Sequence, residues 1–124
     1  MKEARTEVNL EKKKKNPKQK IRKGLIAASC GYAGQSSFSG ILYSGDYSKI
    51  SMKQIIDCHE FKLGALDKSH ADLISFESLP CLKEAQALKK IIPKMEKPCW
   101  VCFTCKNGKL LSSGETIRDA VKML

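Results

Sequence analysis

Three cysteines at a regular spacing are the residues of this sequence that most directly suggest chemistry. Cys99, Cys102 and Cys105 lie in the segment PCWVCFTC, with two residues between each neighbouring pair. Thiolates at such spacings hold zinc or iron–sulfur clusters in many proteins, and a C-x-x-C pair can form a redox-active disulfide. A metal site and a redox site are therefore the two hypotheses that this segment raises.

The residues around these cysteines argue against both hypotheses. A β-strand is favoured by the neighbouring residue types, namely Trp100, Val101, Phe103 and Thr104. On a strand, Cys102 points away from Cys99 and Cys105, and these two lie about 20 Å apart. Zinc binds each sulfur at about 2.3 Å, so one zinc ion cannot bind all three cysteines. A ferredoxin-type cluster needs a further cysteine, and none follows Cys105. A redox pair would normally open a helix. We predict packed thiols on a core strand.

The composition places the chain among cytoplasmic globular proteins. Its 124 residues suit one modest domain, and its six cysteines follow a charged N-terminus without a secretory signal. In the reducing cytosol free thiols act as small apolar residues rather than as disulfides. No apolar run approaches the roughly 18 residues that span a bilayer, so no membrane partner is expected.

The positive charge is concentrated at the N-terminus. Residues 1–23 carry ten basic and three acidic residues, a net charge of +7, whereas residues 24–124 carry a net charge of only +3. Such a segment can bind nucleic acid or an acidic partner. It contains no aromatic residue for stacking on bases, so a solvated helix and loop is favoured and nucleic acid is an unlikely partner.

Strand and helix patterns alternate along the rest of the chain. Continuous apolar runs at 24–29 and 71–76 predict buried strands, and the cysteine segment predicts a third. Helical periodicity covers about 51–68, a second helix runs from Pro80 to Pro93, and a third begins at Thr116 with a capping-box pattern. This order predicts an α/β fold with a parallel sheet of about three strands.

Ligands of parallel α/β folds bind beyond the carboxyl ends of the strands. The residues at those three ends are Ser29, Cys30 and Gly31, then Glu77 and Ser78, then Thr104 and Cys105. Glu77 is the most informative of them, because a carboxylate there can bind an ammonium group or act as a base. The alternative interpretation is a loop carboxylate that faces water or caps the next helix.

Four other polar residues are weaker candidates. His59 lies on the apolar stripe of its helix, where a packing role is favoured, and His70 lies at the opposite end of the sheet. Asp46 and Tyr47 occupy the long loop after the first strand, where they are either lid residues or turn formers.

Four segments in register resemble the homocysteine S-methyltransferases, and within them the branch that uses S-methylmethionine. The segments are GLIAASCGYAG, LYSGDYS, HADLISFESLPCLKEAQAL and PCWVCFTCKNGKLLSSGETIRDAVKML. The sequence departs from the family pattern in three places: Ala33 replaces a tyrosine, FESLP replaces FETIP, and Cys102 replaces a serine.

The resemblance implies a fold and a division of the chain. The family fold is a (β/α)8 TIM barrel, and complete barrels have about 250 residues. Residues 24–124 would form a partial barrel domain with the third, fourth and fifth strands, incomplete at both ends. Residues 1–23 would be a basic helix or loop before it, and the chain is expected to be an internal fragment.

The resemblance also implies an activity and its residues. The family transfers a methyl group from a sulfonium donor, such as S-methylmethionine, to homocysteine, which gives methionine. Glu77 would receive the amino group of homocysteine. The family's zinc ligands would lie outside this chain, so no metal ligand and no catalytic residue is expected here, and the chain alone would be inactive. The alternative hypothesis is a non-catalytic α/β module whose basic arm binds nucleic acid or an acidic partner.

Overall fold

Three parallel strands form one sheet in the order β1-β2-β3. A computed structural model of the chain describes residues 2–18, 20, 24–36 and 40–124. The strands are β1 (Ala27–Gly31), β2 (Leu73–Leu79) and β3 (Cys99–Phe103), and β2 pairs with both neighbours. The helices are α1 (Lys2–Lys15), α2 (Ile41–Ser44), α3 (Met52–Leu66), α4 (Leu82–Ile91) and α5 (Ile117–Met123). The predicted alternation of parallel strands and helices is confirmed.

Two short 3₁₀ segments complete the chain path. Ala33–Ser36 follows β1, and Ile92–Lys94 follows α4, with Pro93 inside it as the expected end of that helix. The α3 helix begins with a full capping box, in which the Ser51 side chain accepts from the amide of Gln54 and the Gln54 side chain accepts from the amide of Ser51.

The first strand begins three residues later than predicted. The backbone of Ile26 does not join the ladder in the usual way, because its N–H donates to the carboxylate of Asp72 at 2.8 Å. Its carbonyl accepts from the Asp72 amide at 2.7 Å. The same carboxylate pairs with Arg5 at 2.5 Å, which attaches α1 to the amino-terminal end of the sheet. Within the basic segment, for which a helix or loop was expected, α1 covers Lys2–Lys15, and residues 1, 19 and 21–23 lie outside the described residues.

The two faces of the sheet differ in what covers them. Helices α3 and α4 pack on one face, where Leu63 and Leu88 meet a core of strand residues, namely Ala28, Cys30, Ile74 and Phe76. The other face carries the alternate residues of each strand, and three of these are exposed: Ser29, Trp100 and Cys102. We call this second surface the open face. In a complete barrel it would be the inner surface.

The last helix buries less than its pattern predicts. Ala120 is buried, whereas Val121, and Leu124 just after the helix, are exposed. Within the described residues, no helix is both long and apolar enough to cross a membrane.

Candidate functional site

Glu77 lies inside the second strand rather than directly after it. The strand continues to Leu79, and its pairing with β3 is irregular between Phe76 and Leu79. Ser78 has a φ of 62°, a left-handed conformation that is unusual for a residue with a side chain. Bulges and strained residues of this kind often lie beside functional sites, where they redirect a side chain.

The Glu77 carboxylate receives a hydrogen bond on each oxygen. The Ser29 hydroxyl donates to Oε2 at 2.9 Å, and the Ser75 hydroxyl donates to Oε1 at 2.7 Å. The side chain is half-buried on the open face, and no lysine or arginine among the described residues forms an ion pair with it. An oriented carboxylate without a cationic partner can bind an external ammonium group.

The strand ends bring together only some of the predicted residues. Ser29 is hydrogen-bonded to Glu77, and Ser78 is the residue that follows Glu77 in the chain. Cys30 faces the helices and is buried there, away from the open face. Thr104 and Cys105 lie beyond the end of β3. The Thr104 hydroxyl donates to the Leu42 carbonyl at 3.4 Å, and so joins the residues after β3 to helix α2.

A buried carboxylate on α4 was missed by the sequence analysis. Glu84 is fully buried, and its Oε1 accepts from the Ala33 amide at 2.7 Å and from the Tyr47 hydroxyl at 2.6 Å. Its Oε2 lies 2.6 Å from Nε2 of His59, which is also fully buried. Three segments, namely the turn after β1, the loop before α3 and α3 itself, are thus fixed to one residue. The signal in the sequence was its position, since Glu84 shares a helix face with Cys81 and Leu88.

His59 has the packing role predicted for it. Its ring meets that of Phe76 edge-on at 5.7 Å, and its Nδ1 lies 3.7 Å from the sulfur of Cys30. Cys30, His59 and Glu84 thus have the connectivity of a cysteine-nucleophile triad. A nucleophile must be exposed and ionised, whereas burial raises the pKa of the Cys30 thiol to about 11. The buried Cys30 thiol meets neither condition, so the cluster is structural.

Burial of thiols predicts that the protein loses stability in alkaline solution. Desolvation raises the pKa of Cys30 to about 11 and that of Cys81 to about 12, from 9.0 for an ordinary thiol. The unfolded chain therefore ionises first, and the stability present below pH 9 is lost as the pH rises toward those values. Each thiol contributes about 1.4 kcal/mol per pH unit in that range.

Urea unfolding at pH 8, 9 and 10 under reducing conditions measures this loss. Cys30→Ala lowers the free energy of unfolding at every pH but also flattens its pH dependence. Cys102→Ser, at an exposed position, leaves the slope unchanged. A free energy of unfolding that is constant from pH 8 to 10 would contradict the prediction.

Comparison with known proteins identifies the family. A family model described as homocysteine S-methyltransferase matches residues 1–124. The chain belongs to the homocysteine S-methyltransferase family. Homocysteine S-methyltransferase 1 of Zea mays is 39% identical over 105 residues, which are 82% of this chain and 32% of that protein. Homocysteine S-methyltransferase YbgG of Bacillus subtilis is 34% identical over 103 residues, with the same two coverages.

A solved structure agrees with the family and with the partial TIM barrel. The metallated form of the homocysteine methyltransferase MmuM from Escherichia coli superposes with a TM-score of 0.78 and 29% sequence identity. The match covers 96% of this chain and 41% of that protein. The chain thus spans about a third of the length of the curated relatives it matches, and less than half of the solved structure.

The three cysteines of the segment PCWVCFTC differ in exposure. Cys102 and Cys105 are exposed, so the prediction of three packed thiols is wrong for both, and only Cys99 is partly buried. The physical reason is that Cys102 lies on the open face and that β3 ends at Phe103, before Cys105. In the part of the chain that the structure describes, no three His, Cys, Asp or Glu side chains are placed to hold a metal ion. Among the described residues, the zinc implied by the resemblance therefore finds no ligand set.

The weaker candidates occupy ordinary structural positions. His70 is exposed in the turn before β2. The Asp46 carboxylate accepts from the Ser48 amide at 3.0 Å, as in a turn, and the hydrogen bonds from Ser48 lower the pKa of Asp46. The Tyr47 carbonyl accepts from the Ile50 amide at 3.2 Å, as in a turn, and its hydroxyl is buried against Glu84. Desolvation, followed by that carboxylate, raises the pKa of Tyr47.

The basic arm remains a separate prediction. The lysines of the last turn of α1, Lys12 to Lys15, are exposed, and no residue of α1 is buried. If the arm binds nucleic acid, affinity falls steeply with salt and falls again when these four lysines are neutralised. Binding that is unchanged by the substitutions would exclude the arm as the site.

Proposed function

We propose that this chain is the homocysteine-binding part of a longer methyltransferase barrel, in which Glu77 receives the substrate's ammonium group. The complete protein transfers a methyl group from a sulfonium donor such as S-methylmethionine to homocysteine. The carrying observation is the Glu77 carboxylate at the carboxyl end of the central strand, with a serine donor on each oxygen. Membership of the family supports the substrate class.

The electrostatics of the site suit an amino-acid substrate. An ammonium group brings three donors, and the remaining lone pairs of the Glu77 oxygens can accept from it. The site is half-buried, so such a charge-assisted bond is stronger than the same pair in open water. An uncharged ligand of the same shape gains less from the carboxylate, which gives the site its preference for the ammonium form.

The chemical step itself is assigned to the complete protein. The thiolate sulfur of homocysteine attacks the donor's methyl carbon, a new S–CH₃ bond forms, and the donor's C–S bond breaks with its electron pair kept by sulfur. The products are two neutral thioethers, so charge is balanced. Activation of the thiol is assigned to residues outside this chain, in agreement with a match to 41% of the solved barrel. We therefore propose that the chain alone does not catalyse methyl transfer.

A chimeric barrel tests this function. Residues 24–124 replace the matching part of E. coli MmuM, and methionine formed from homocysteine and S-methylmethionine is measured by mass spectrometry after cooperative melting has been verified. The chimera is expected to be active, and the 124-residue chain inactive. Glu77→Gln keeps the shape but removes the charge, so kcat/KM for homocysteine falls about 10- to 100-fold, mainly through KM.

A surface glutamate gives the matched control. Glu60 is exposed and makes only a 3.4 Å pair with Lys94, so Glu60→Gln is expected to leave both constants unchanged. A folded chimera that forms no methionine would contradict the proposed function. A fully active Glu77→Gln chimera would contradict the role of Glu77 alone.

A further inference from the structure

A row of polar side chains crosses the open face beneath Glu77. Ser29 is the register partner of Ser75, and Ser75 is the register partner of Trp100, so the three lie side by side on neighbouring strands. Glu77 lies two residues beyond Ser75 on the same face of β2. Ser75 is fully buried, although it belongs to the open face. The half-exposed indole of Trp100 hydrogen-bonds to it from the neighbouring strand.

The hydrogen bonds of this row have only one consistent direction. The indole Nε1–H of Trp100 can only donate, so Oγ of Ser75 accepts that bond. A hydroxyl has a single proton, and that of Ser75 points to Oε1 of Glu77 at 2.7 Å. We infer that Trp100 is a positioning residue, whose indole N–H fixes the Ser75 hydroxyl so that Glu77 is held in one orientation toward the substrate's ammonium group. This inference rests on the function proposed above.

The relay matters because a glutamate side chain is otherwise free to rotate. Without the indole, the Ser75 hydroxyl can turn to other acceptors, and Oε1 loses its fixed donor. The carboxylate is then held by the Ser29 hydroxyl alone, at Oε2. A ligand that binds must then restrict the carboxylate itself, and that entropy cost reduces affinity. Trp100 therefore acts on ligand binding without contact with the ammonium group.

Trp100→Phe in the 124-residue chain tests the inference, since it keeps an aromatic ring and deletes the N–H. Binding is measured by NMR titration with homocysteine and with 4-mercaptobutanoate, which has the same thiol and carboxylate but no amino group. We expect homocysteine affinity to fall about three- to ten-fold, the worth of one hydrogen bond. Affinity for 4-mercaptobutanoate is expected to stay constant. Equal losses for both ligands would indicate a merely structural role and overturn the inference.

A double substitution shows whether Trp100 acts through Ser75. Ser75→Ala removes the relay hydroxyl, so adding Trp100→Phe to it is expected to cause no further loss of homocysteine affinity. Additive losses would overturn the relay. Tyr43→Phe is the matched control, because it also deletes one polar group from an aromatic side chain, at a position that is 81% exposed. It is expected to change neither affinity.

A ligand-free measurement separates this inference from the proposed function. Trp100 is the single tryptophan of the sequence, so its indole proton gives one unambiguous NMR signal. Its exchange with solvent is expected to be slower in the wild-type chain than in Ser75→Ala. Equal exchange rates would overturn the relay whatever the chain binds. If exchange is slowed as expected but homocysteine does not bind, the proposed function fails for this chain and the contact between Trp100 and Ser75 stands.

Discussion

Replacement of Glu84 by alanine is expected to lower the free energy of unfolding by about 3–5 kcal/mol, as for other broken buried charge networks. Three donors lose their acceptor at once: the Ala33 amide, the Tyr47 hydroxyl and His59 Nε2. All three contacts are buried, so water does not replace the carboxylate without opening the structure. Urea unfolding followed by circular dichroism measures the change.

Glu84→Gln separates shape from charge at the same position. Its amide oxygen can keep the bonds from Ala33 and Tyr47, but its NH₂ group then faces Nε2 of His59. Nε2 of His59 can then no longer donate to this position, and a ring proton on Nδ1 faces the Cys30 sulfur 3.7 Å away. We expect a loss of about 1–2 kcal/mol, between alanine and wild type. Glu60→Ala, at an exposed position of α3, is the control and is expected to stay within about 0.5 kcal/mol. A loss below about 1 kcal/mol for Glu84→Ala would show that the carboxylate is not buried as described.

Hydrophobic patterning was sufficient to predict the architecture. Apolar runs and helical periodicity report burial along one segment at a time, and a parallel sheet with intervening helices follows from their order. The residues that α3 buries, Ile55, His59 and Leu63, recur at the helical spacing from which the helix over about 51–68 was predicted. Helical periodicity also predicts that Val121 on α5 is buried, but Val121 is exposed. An apolar stripe predicts that a helix packs against another surface, and it does not show which residues form that surface.

Contacts between distant segments were not predictable from pattern alone. In the sequence, Glu84 is a polar residue that interrupts an apolar helix face. Its three hydrogen-bond partners are 25, 37 and 51 residues away in the chain. The later start of β1 has a similar cause, because the backbone N–H of Ile26 donates to the carboxylate of the distant Asp72. The exposure of Cys102 depends on which face the helices cover, and the strand pattern gives only its alternation with Cys99 and Val101.

The Glu77 site was predictable from the sequence only in part. Its position near the carboxyl end of a strand was predicted from the sequence, and its substrate role was implied by the family resemblance. The serine hydroxyls that orient it come from register pairs across the sheet, and register is a property of the folded structure. The segments beyond the carboxyl ends of the strands are held by a different kind of contact, in which two backbones approach closely.

That close approach makes Gly45→Ala the second large destabilisation expected in this protein. Gly45 ends α2 with a φ of 64°, and a Cβ there would lie 2.5 Å from both the backbone nitrogen and the Cβ of Ser113. Ser113 cannot move aside easily, because its amide donates to the Pro80 carbonyl at 3.1 Å and its hydroxyl is hydrogen-bonded to the Glu115 carboxylate. Left-handed strain of about 1–2 kcal/mol and overpacking of about 1–3 kcal/mol together predict a loss of about 3 kcal/mol.

Two other glycines separate the strain from the clash. Gly114 also has a positive φ, of 104°, but nothing lies within 4 Å of a Cβ added there, so Gly114→Ala measures strain alone, about 1–2 kcal/mol. Gly64 lies on α3 with open space around it, and Gly64→Ala is expected to stabilise the protein by about 0.5–1 kcal/mol. Urea unfolding of all three variants gives the comparison, and equal losses for Gly45→Ala and Gly114→Ala would contradict the contact with Ser113. If the contact is confirmed, the segments that follow β1 and β3 are packed together beyond the carboxyl ends of the strands, the end of the sheet nearest Glu77.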